Sequence, residues 1–196
     1  MSATADDRRP PRGLLVVVTG PPGSGKTTLA RQLAPRLGLG LLTKDDLKVI
    51  MYDALGWGGR KQDRATSDAA YELMFHMAQI QLSTGGSLML EANFRPSAAE
   101  RLRPAIQAQR AVCIQVRCTA AKQTLVDRLK DRAEREVRHP GHADRETLGD
   151  LEHLLSTGAV LDLPGPVYAV DTGRRTQADP ERVAQELRVL VAEHRQ

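Results

Sequence analysis

Aromatic side chains make up only 3% of this 196-residue chain, with one Trp, three Tyr and two Phe. That scarcity argues against a protein that grips nucleic acid by stacking on many bases. Cysteine is nearly absent too. Cys113 and Cys118 share one apolar run and form no metal-ligand pattern. On a strand their spacing sends them to opposite faces, so ordinary core thiols are expected, and nothing points to an oxidising compartment. No charge sign dominates either: 28 Lys and Arg against 24 Asp and Glu leave a net +4. That excess suits an anionic ligand without requiring nucleic acid. No run is long and apolar enough to span a bilayer, so no membrane partner is expected. Residues 1–12, "MSATADDRRPPR", lack the apolar centre of a signal peptide. They read as a disordered leader on a cytoplasmic protein.

What remains is a globular composition, 41% hydrophobic, that suits one domain over 13–196. Short apolar runs alternate with longer amphipathic stretches, without an internal repeat. That alternation predicts an α/β fold, a doubly wound parallel sheet of five strands with helices on both faces. Strands are expected at Leu14–Thr19, Leu41–Thr43, Ser87–Glu91, Ala111–Cys118 and Val167–Asp171. The helices between them are expected at Lys26–Leu37, from Asp45 to about Leu55, and over Ser67–Thr84. Two more follow, one capped by Ser97 and one capped by Thr119. The helix near Asp45 carries Leu47, Ile50, Met51 and Ala54 along one side. "GWGGRKQ" reads as a flexible joint. Asp144 is placed to cap a short helix to Leu155, and Asp179-Pro180 is a strong start for the last helix.

The first expected strand runs into "GPPGSGKT", Gly20 to Thr27, which fits G-x-x-x-x-G-K-[ST] between a buried strand and a helix. Gly20, Pro21, Pro22, Gly23, Ser24 and Gly25 form a turn whose N–H groups cradle phosphates. The helix start behind it adds its positive end. Lys26 is expected to reach the outer phosphates, Thr27 to ligate Mg²⁺, and Thr28 to touch the first phosphate or pack. The expected cofactors are therefore ATP and Mg²⁺.

The second expected strand is followed by "TKDDLKVIM". Residues beyond a strand's carboxyl end face the ligand crevice, so Asp45 or Asp46 lies near the transferred phosphate and is suited to accept a hydroxyl proton. A helix N-cap and first-turn acid explain the same two residues equally well. Lys48 shares a face with Asp45, three residues on, and is a substrate candidate that could bind an anionic substrate group or hold Asp45 ionised. The third strand ends at Glu91, a candidate for the metal shell or the substrate, with Asn93 and Arg95 as substrate candidates. Arg128, Arg132 and Arg135 recur on one helical face, and Arg138 follows. A flap of arginines over about 128–145 suits the spreading charge of a moving phosphoryl group, although Asp131 and Glu134 also pair with them locally. His139 and His142 lack further metal ligands. Gly173 and Arg174, after the last strand, are positioned to flank a base.

"GPPGSGKTTLA", "TKDDLKVIM" and "LMLEANFRPSAAERL" together resemble the P-loop kinases related to polynucleotide 5′-hydroxyl kinase. That AAA-type kinase group also resembles zeta toxins and chloramphenicol phosphotransferases. The resemblance runs from Leu14 to about Leu155. It implies transfer of the γ-phosphate of ATP to a substrate hydroxyl, with Asp45 as general base and a helical lid. The family usually has Arg where Lys48 stands, and more often Asp where Glu91 stands. The expected partner is a hydroxyl-bearing acceptor, a small molecule or a nucleic-acid 5′ end, with the thin aromatic content favouring the former. An ATP-binding regulatory NTPase and a nucleotide-sugar kinase of the zeta-toxin kind are the alternatives.

Overall fold

The computed structural model describes residues 13–56, 58–134, 158–174 and 176–194. Its central strand, β1 (Leu14–Thr19), is apolar on both faces and buried throughout. Five parallel strands assemble around it in the order β2-β3-β1-β4-β5. They are β2 (Gly40–Thr43), β3 (Leu88–Glu91), β4 (Val112–Thr119) and β5 (Val167–Asp171) beside β1. The helices are α1 (Lys26–Leu37), α2 (Lys44–Leu55), α3 (Arg60–Ser83), α4 (Ala98–Gln109), α5 (Lys122–Glu134) and α6 (Pro180–Glu193). The expected doubly wound α/β fold is the observed one.

Alternation along β1 divides the core. Leu15 and Val17 pack with Met74, Leu82, Leu102 and Ile106 of α3 and α4. Leu14, Val16 and Val18 pack with Leu29 and Leu33 of α1 and Val183 and Leu187 of α6. Cys113 falls in the first cluster and Cys118 in the second, as their spacing requires. Burial pushes both thiols up to about 12, which keeps them protonated and inert.

Register decides where the site lies. Val18 of β1 and Thr43 of β2 both stand beside Glu91 of β3, so three strand ends share one edge. The strand order reverses direction about β1, and the crevice of such a sheet opens there.

Several boundaries differ from expectation. Helix α3 starts at Arg60, well before Ser67, so the last three residues of the expected joint, Arg60 to Gln62, belong to its first turn. Thr43 rather than Asp45 caps α2, its hydroxyl accepting the Asp46 N–H at 3.0 Å. Ser97 has helical backbone angles and makes no side-chain cap. Thr119 ends β4 and donates its hydroxyl to the Val170 carbonyl, while α5 begins at Lys122. The buried face of α2 carries Lys48 and Tyr52, and Ile50 is exposed. The expected leader at 1–12, the helix at Asp144–Leu155 and most of the expected flap lie outside the described residues.

The chain returning at Gly158 is fixed by a side chain that imitates a strand. Buried Gln115 of β4 donates its amide to the Leu161 carbonyl at 3.0 Å and accepts the Leu161 N–H at 2.8 Å. Gln115→Leu strands both backbone groups inside the protein, so it should lower unfolding free energy by about 1–3 kcal/mol. Urea denaturation checks this, and a loss below ~0.5 kcal/mol would contradict it.

Candidate functional site

The loop Gly20–Gly25 leaves β1 and delivers α1. Gly25 stands at the helix N-cap with φ 73°, a left-handed conformation that glycine adopts without strain. No side chain caps α1 and no acidic residue sits in its first turn. The positive end of the helix and its first N–H groups are therefore left for an anion. The hydroxyl of Ser24 is buried inside the loop without a hydrogen-bond partner among the described residues. A loop with an orphaned donor, an uncapped helix start and a lysine fits the phosphates of a nucleotide.

Lys26 lies over this loop. Its ammonium is 3.5 Å from the Pro21 carbonyl and 4.0 Å from Glu91 Oε1. Glu91 is only 2% exposed. Burial pushes its carboxyl up and the charge of Asp45 adds to this, while Lys26, a hydrogen bond with Thr27 and the charge of Lys44 pull it down. Thr27 and Glu91 thus meet as a pair of hard oxygen donors, the chemistry that suits Mg²⁺ with water and phosphate completing its shell. Among the described residues no group of three His, Cys, Asp or Glu forms a closed metal cage.

The two acids after β2 have different surroundings. Asp46 is exposed and paired with Arg31 of α1 at 2.7 Å. Asp45 is half-buried, and its charge acts on Lys44, Glu91, Tyr52 and Tyr71. Lys44 escaped the sequence analysis. Its ammonium donates to Asn93 Oδ1 at 2.9 Å and lies 5.2 Å from the centre of the Tyr71 ring. The Tyr71 hydroxyl donates to the Asn93 carbonyl at 3.1 Å. Burial is the main cause that lowers Lys44 to about 8, against the opposing pull of Asp45.

Lys48 is 6% exposed and its ammonium stands 2.5 Å from Asp63 Oδ1 of α3, which also accepts the Tyr52 hydroxyl. Burial pushes the Asp63 carboxyl up, but the hydrogen bonds from Lys48 and Tyr52 outweigh it and hold the group below its usual range. Tyr52 follows Lys48 by one turn, a spacing that marks a shared face. Asp63 carried no such signal, because it falls between the stretch that reads as a joint and the helix expected from Ser67. Arg95 is exposed and lines a cavity of about 280 Å³ between α3 and α4, with Tyr71 and Phe75 on its wall.

The other side of the loop is braced. Arg128 of α5 donates to the Gly23 carbonyl at 3.2 Å, to Thr172 Oγ1 at 3.1 Å and to the Thr172 carbonyl at 2.9 Å. Thr172, which follows β5, donates its hydroxyl to the Ser24 carbonyl at 2.7 Å. Gly158 packs against Gly20 so closely that a Cβ there would sit 2.2 Å from the Gly20 carbonyl carbon. A second cavity, about 340 Å³, lies beside Gly25, Thr28, Gln32, Arg128 and Thr172. Gly173 and Arg174 are outside its lining and contact Asp171 instead, the Gly173 N–H at 2.9 Å and the Arg174 Nε at 3.5 Å. Arg132 is half-buried near the end of α5, and Arg135 lies outside the described residues.

A family model described as an AAA domain matches residues 15–156. The chain belongs to this family. Its fold is that of the P-loop kinase-like group that includes the polynucleotide kinases. It is similar to a presumed kinase from Chloroflexus aurantiacus, with 38% identity and a TM-score of 0.83. That match covers 91% of this chain and 98% of the other. Kti12 of Chaetomium thermophilum, solved with ADP-AlF3, is 19% identical with a TM-score of 0.66, over 90% of this chain and 98% of that one. APS kinase of Mycobacterium tuberculosis, solved with AMPPNP and APS, is 22% identical with a TM-score of 0.59, over 93% and 99%. These two likenesses concern the fold alone. An uncharacterized protein of Mycobacterium tuberculosis is 28% identical over 61% of this chain, and the match spans only 26% of that protein. The chain thus covers about a quarter of the curated relatives it matches. A P-loop NTPase kinase fold implies nucleotide binding. No helix among the described residues is long and apolar enough to cross a membrane.

Lys44 gives the site a pH signature. Its folded value of about 8 lies below the ordinary 10.5. Between those values the unfolded chain holds the proton that the folded chain has released, so stability rises with pH across that window. Lys44→Met AAA-domain protein should lack this rise. Urea midpoints measured from pH 7.5 to 10.5 test it: equal slopes for the two proteins would contradict the burial of a strained ammonium.

Proposed function

We propose that the chain is an ATP-dependent kinase that moves the γ-phosphate of ATP to the hydroxyl of a small molecule. The observation that carries this reading is the position of Asp45. It is a half-buried carboxylate on the same sheet edge as Lys26 and Glu91, and its charge acts on Glu91 and on Lys44. A switch that only binds and hydrolyses nucleotide needs no such base on the acceptor side.

In this reading Lys26 and the N–H groups that open α1 hold the outer phosphates. Thr27 and Glu91 hold Mg²⁺, which when bound neutralises developing charge on the phosphate oxygens. Asp45 orients the acceptor hydroxyl and takes its proton. Asn93, fixed by Lys44 and Tyr71, and Arg95 shape the acceptor side, with Lys48 behind Asp45. Arg128 holds the loop in place from Gly23. Arg132 and Arg135 are assigned to the flap that closes over the transferred group. Gly173 and Arg174 are assigned to the nucleoside end, next to the cavity that Thr28 and Thr172 line. Residues 13–196 act as one unit. The small-molecule acceptor is preferred to a polynucleotide end because aromatics are only 3% of the chain and the net charge is only +4.

A panel of alcohols and 5′-hydroxyl oligonucleotides incubated with labelled ATP tests the reading. Label should appear on a small alcohol. Lys26→Ala should abolish transfer. Asp45→Asn should leave nucleotide affinity unchanged and cut transfer by at least ~10²-fold. An Asp45→Asn enzyme with unimpaired transfer would remove Asp45 as the base. ATP hydrolysis with label on no acceptor would remove the kinase reading.

A further inference from the structure

The acceptor side of the site contains a lysine whose charge is already taken. Lys48 stands one helical turn beyond Asp45, on the same face of α2, where it is the natural receptor for an acid group next to the reacting hydroxyl. Its ammonium instead meets Asp63 at 2.5 Å, and it is 6% exposed. Tyr52, one turn further along α2, donates its hydroxyl to the same Asp63 oxygen. Two side chains of α2 therefore close on one carboxylate oxygen of α3. The neighbouring cation, Lys44, is likewise occupied, by Asn93 at 2.9 Å and by the face of Tyr71.

The energetics favour keeping this arrangement shut. The Lys48 side chain is buried while Asp63 keeps 29% of its side chain exposed, so drawing Asp63 away leaves a buried ammonium uncompensated, which is unfavourable. An acceptor phosphate or carboxylate approaching Lys48 has to displace Asp63 first. It also has to approach with its own negative charge beside the Asp63 and Asp45 carboxylates. Like charges brought together in this way act as a selective barrier rather than as a weak attraction. An uncharged alcohol meets neither obstacle.

We propose that Asp63 is a specificity-determining residue. By occupying Lys48 it excludes acceptors that carry an acid group close to the reacting hydroxyl, and so restricts the enzyme to uncharged alcohols. The assignment rests on the kinase reading for its meaning, but its test reads binding and needs no turnover.

The donor site is first saturated with AMPPNP and Mg²⁺. Glycerol 3-phosphate and thymidine 3′-phosphate are then titrated calorimetrically into the wild type, Lys48→Met, Asp63→Asn and the double variant Asp63→Asn/Lys48→Met. Asparagine keeps the shape of Asp63 and removes its charge, which frees Lys48 for another anion. Asp63→Asn should bind at least one of the two phosphates ~10-fold or more tightly than the wild type, and the double variant should lose that gain. Asp63→Ser serves in the same comparison should the asparagine variant prove unfolded by circular dichroism. Two outcomes would overturn the proposal. One is tight binding of either phosphate by the wild type that Lys48→Met abolishes, because then Asp63 excludes nothing. The other is no gain in a folded Asp63 variant, because then Lys48 is not the group being withheld. The kinase reading fails separately, through absence of transfer to any alcohol.

Discussion

A carboxylate buried at the meeting point of three strand ends is tolerable in its charged form only while cations face it. Glu91 occupies that point, beside Val18 and Thr43 in register, and the charged groups around it follow from the requirement. Lys26 reaches it from α1, Thr27 hydrogen-bonds to it, and Lys44 adds its charge from the start of α2. Lys44 in turn needs its own partners, and finds them in Asn93, the Tyr71 face and the charge of Asp45. The result is a chain of dependencies that starts at one strand end and reaches α3. A divalent cation next to Glu91 and Thr27 would, by its charge, offset the burial that raises the Glu91 carboxyl.

The phosphate loop has a second set of supports, and these are backbone contacts. Arg128 holds the Gly23 carbonyl, Thr172 holds the Ser24 carbonyl, and Gly158 lies against Gly20. Each support comes from a different part of the chain: α5, the end of β5, and the segment that returns after α5. A loop of glycines needs this kind of bracing, because glycine brings conformational freedom that must be lost when the cradle forms. Orienting the Gly23 and Ser24 carbonyls onto Arg128 and Thr172 leaves the loop's N–H groups to the site proposed for the phosphates. The same contacts explain why Arg128 belongs to the cradle's frame as well as to the helical face on which it was first noticed.

The elements that were legible in the sequence are those where local chemistry and tertiary role agree. β1 is apolar on both faces, and the glycine loop and α1 follow it without competing signals, so both boundaries of α1 match expectation. Asp179-Pro180 starts α6 for the same reason. The failures share a cause: tertiary packing overrode a local signal. "GWGGRKQ" carries turn residues, yet α3 begins at Arg60, because its first turn supplies Asp63 to Lys48. On α2 the apolar stripe through Ile50 and Ala54 is largely exposed, and a lysine and a tyrosine are buried. Hydrophobic periodicity cannot find a helix face buried for its charge. Lys44 is inconspicuous in the sequence because it stands next to two aspartates that carry the recognisable chemistry. Asp45 was separable from Asp46 only in three dimensions, where Arg31 engages one and the strand-end cluster surrounds the other.

These observations bear on how one fold comes to serve different acceptors. In the proposed reading the donor side is built from the loop, the helix start and a strand-end acid, groups suited to phosphates and metal that carry no information about the acceptor. The acceptor side is built from α2 and α3, and there the charges are paired across helices rather than presented to solvent. An ion pair between helices fixes their relative position and, in the proposed reading, also decides which ligand charges can enter. A change at residue 63 would alter both at once, since Lys48 and Tyr52 share that one carboxylate. In that reading acceptor choice can shift through a residue that never touches the transferred phosphate, while the cradle proposed for the nucleotide stays as it is.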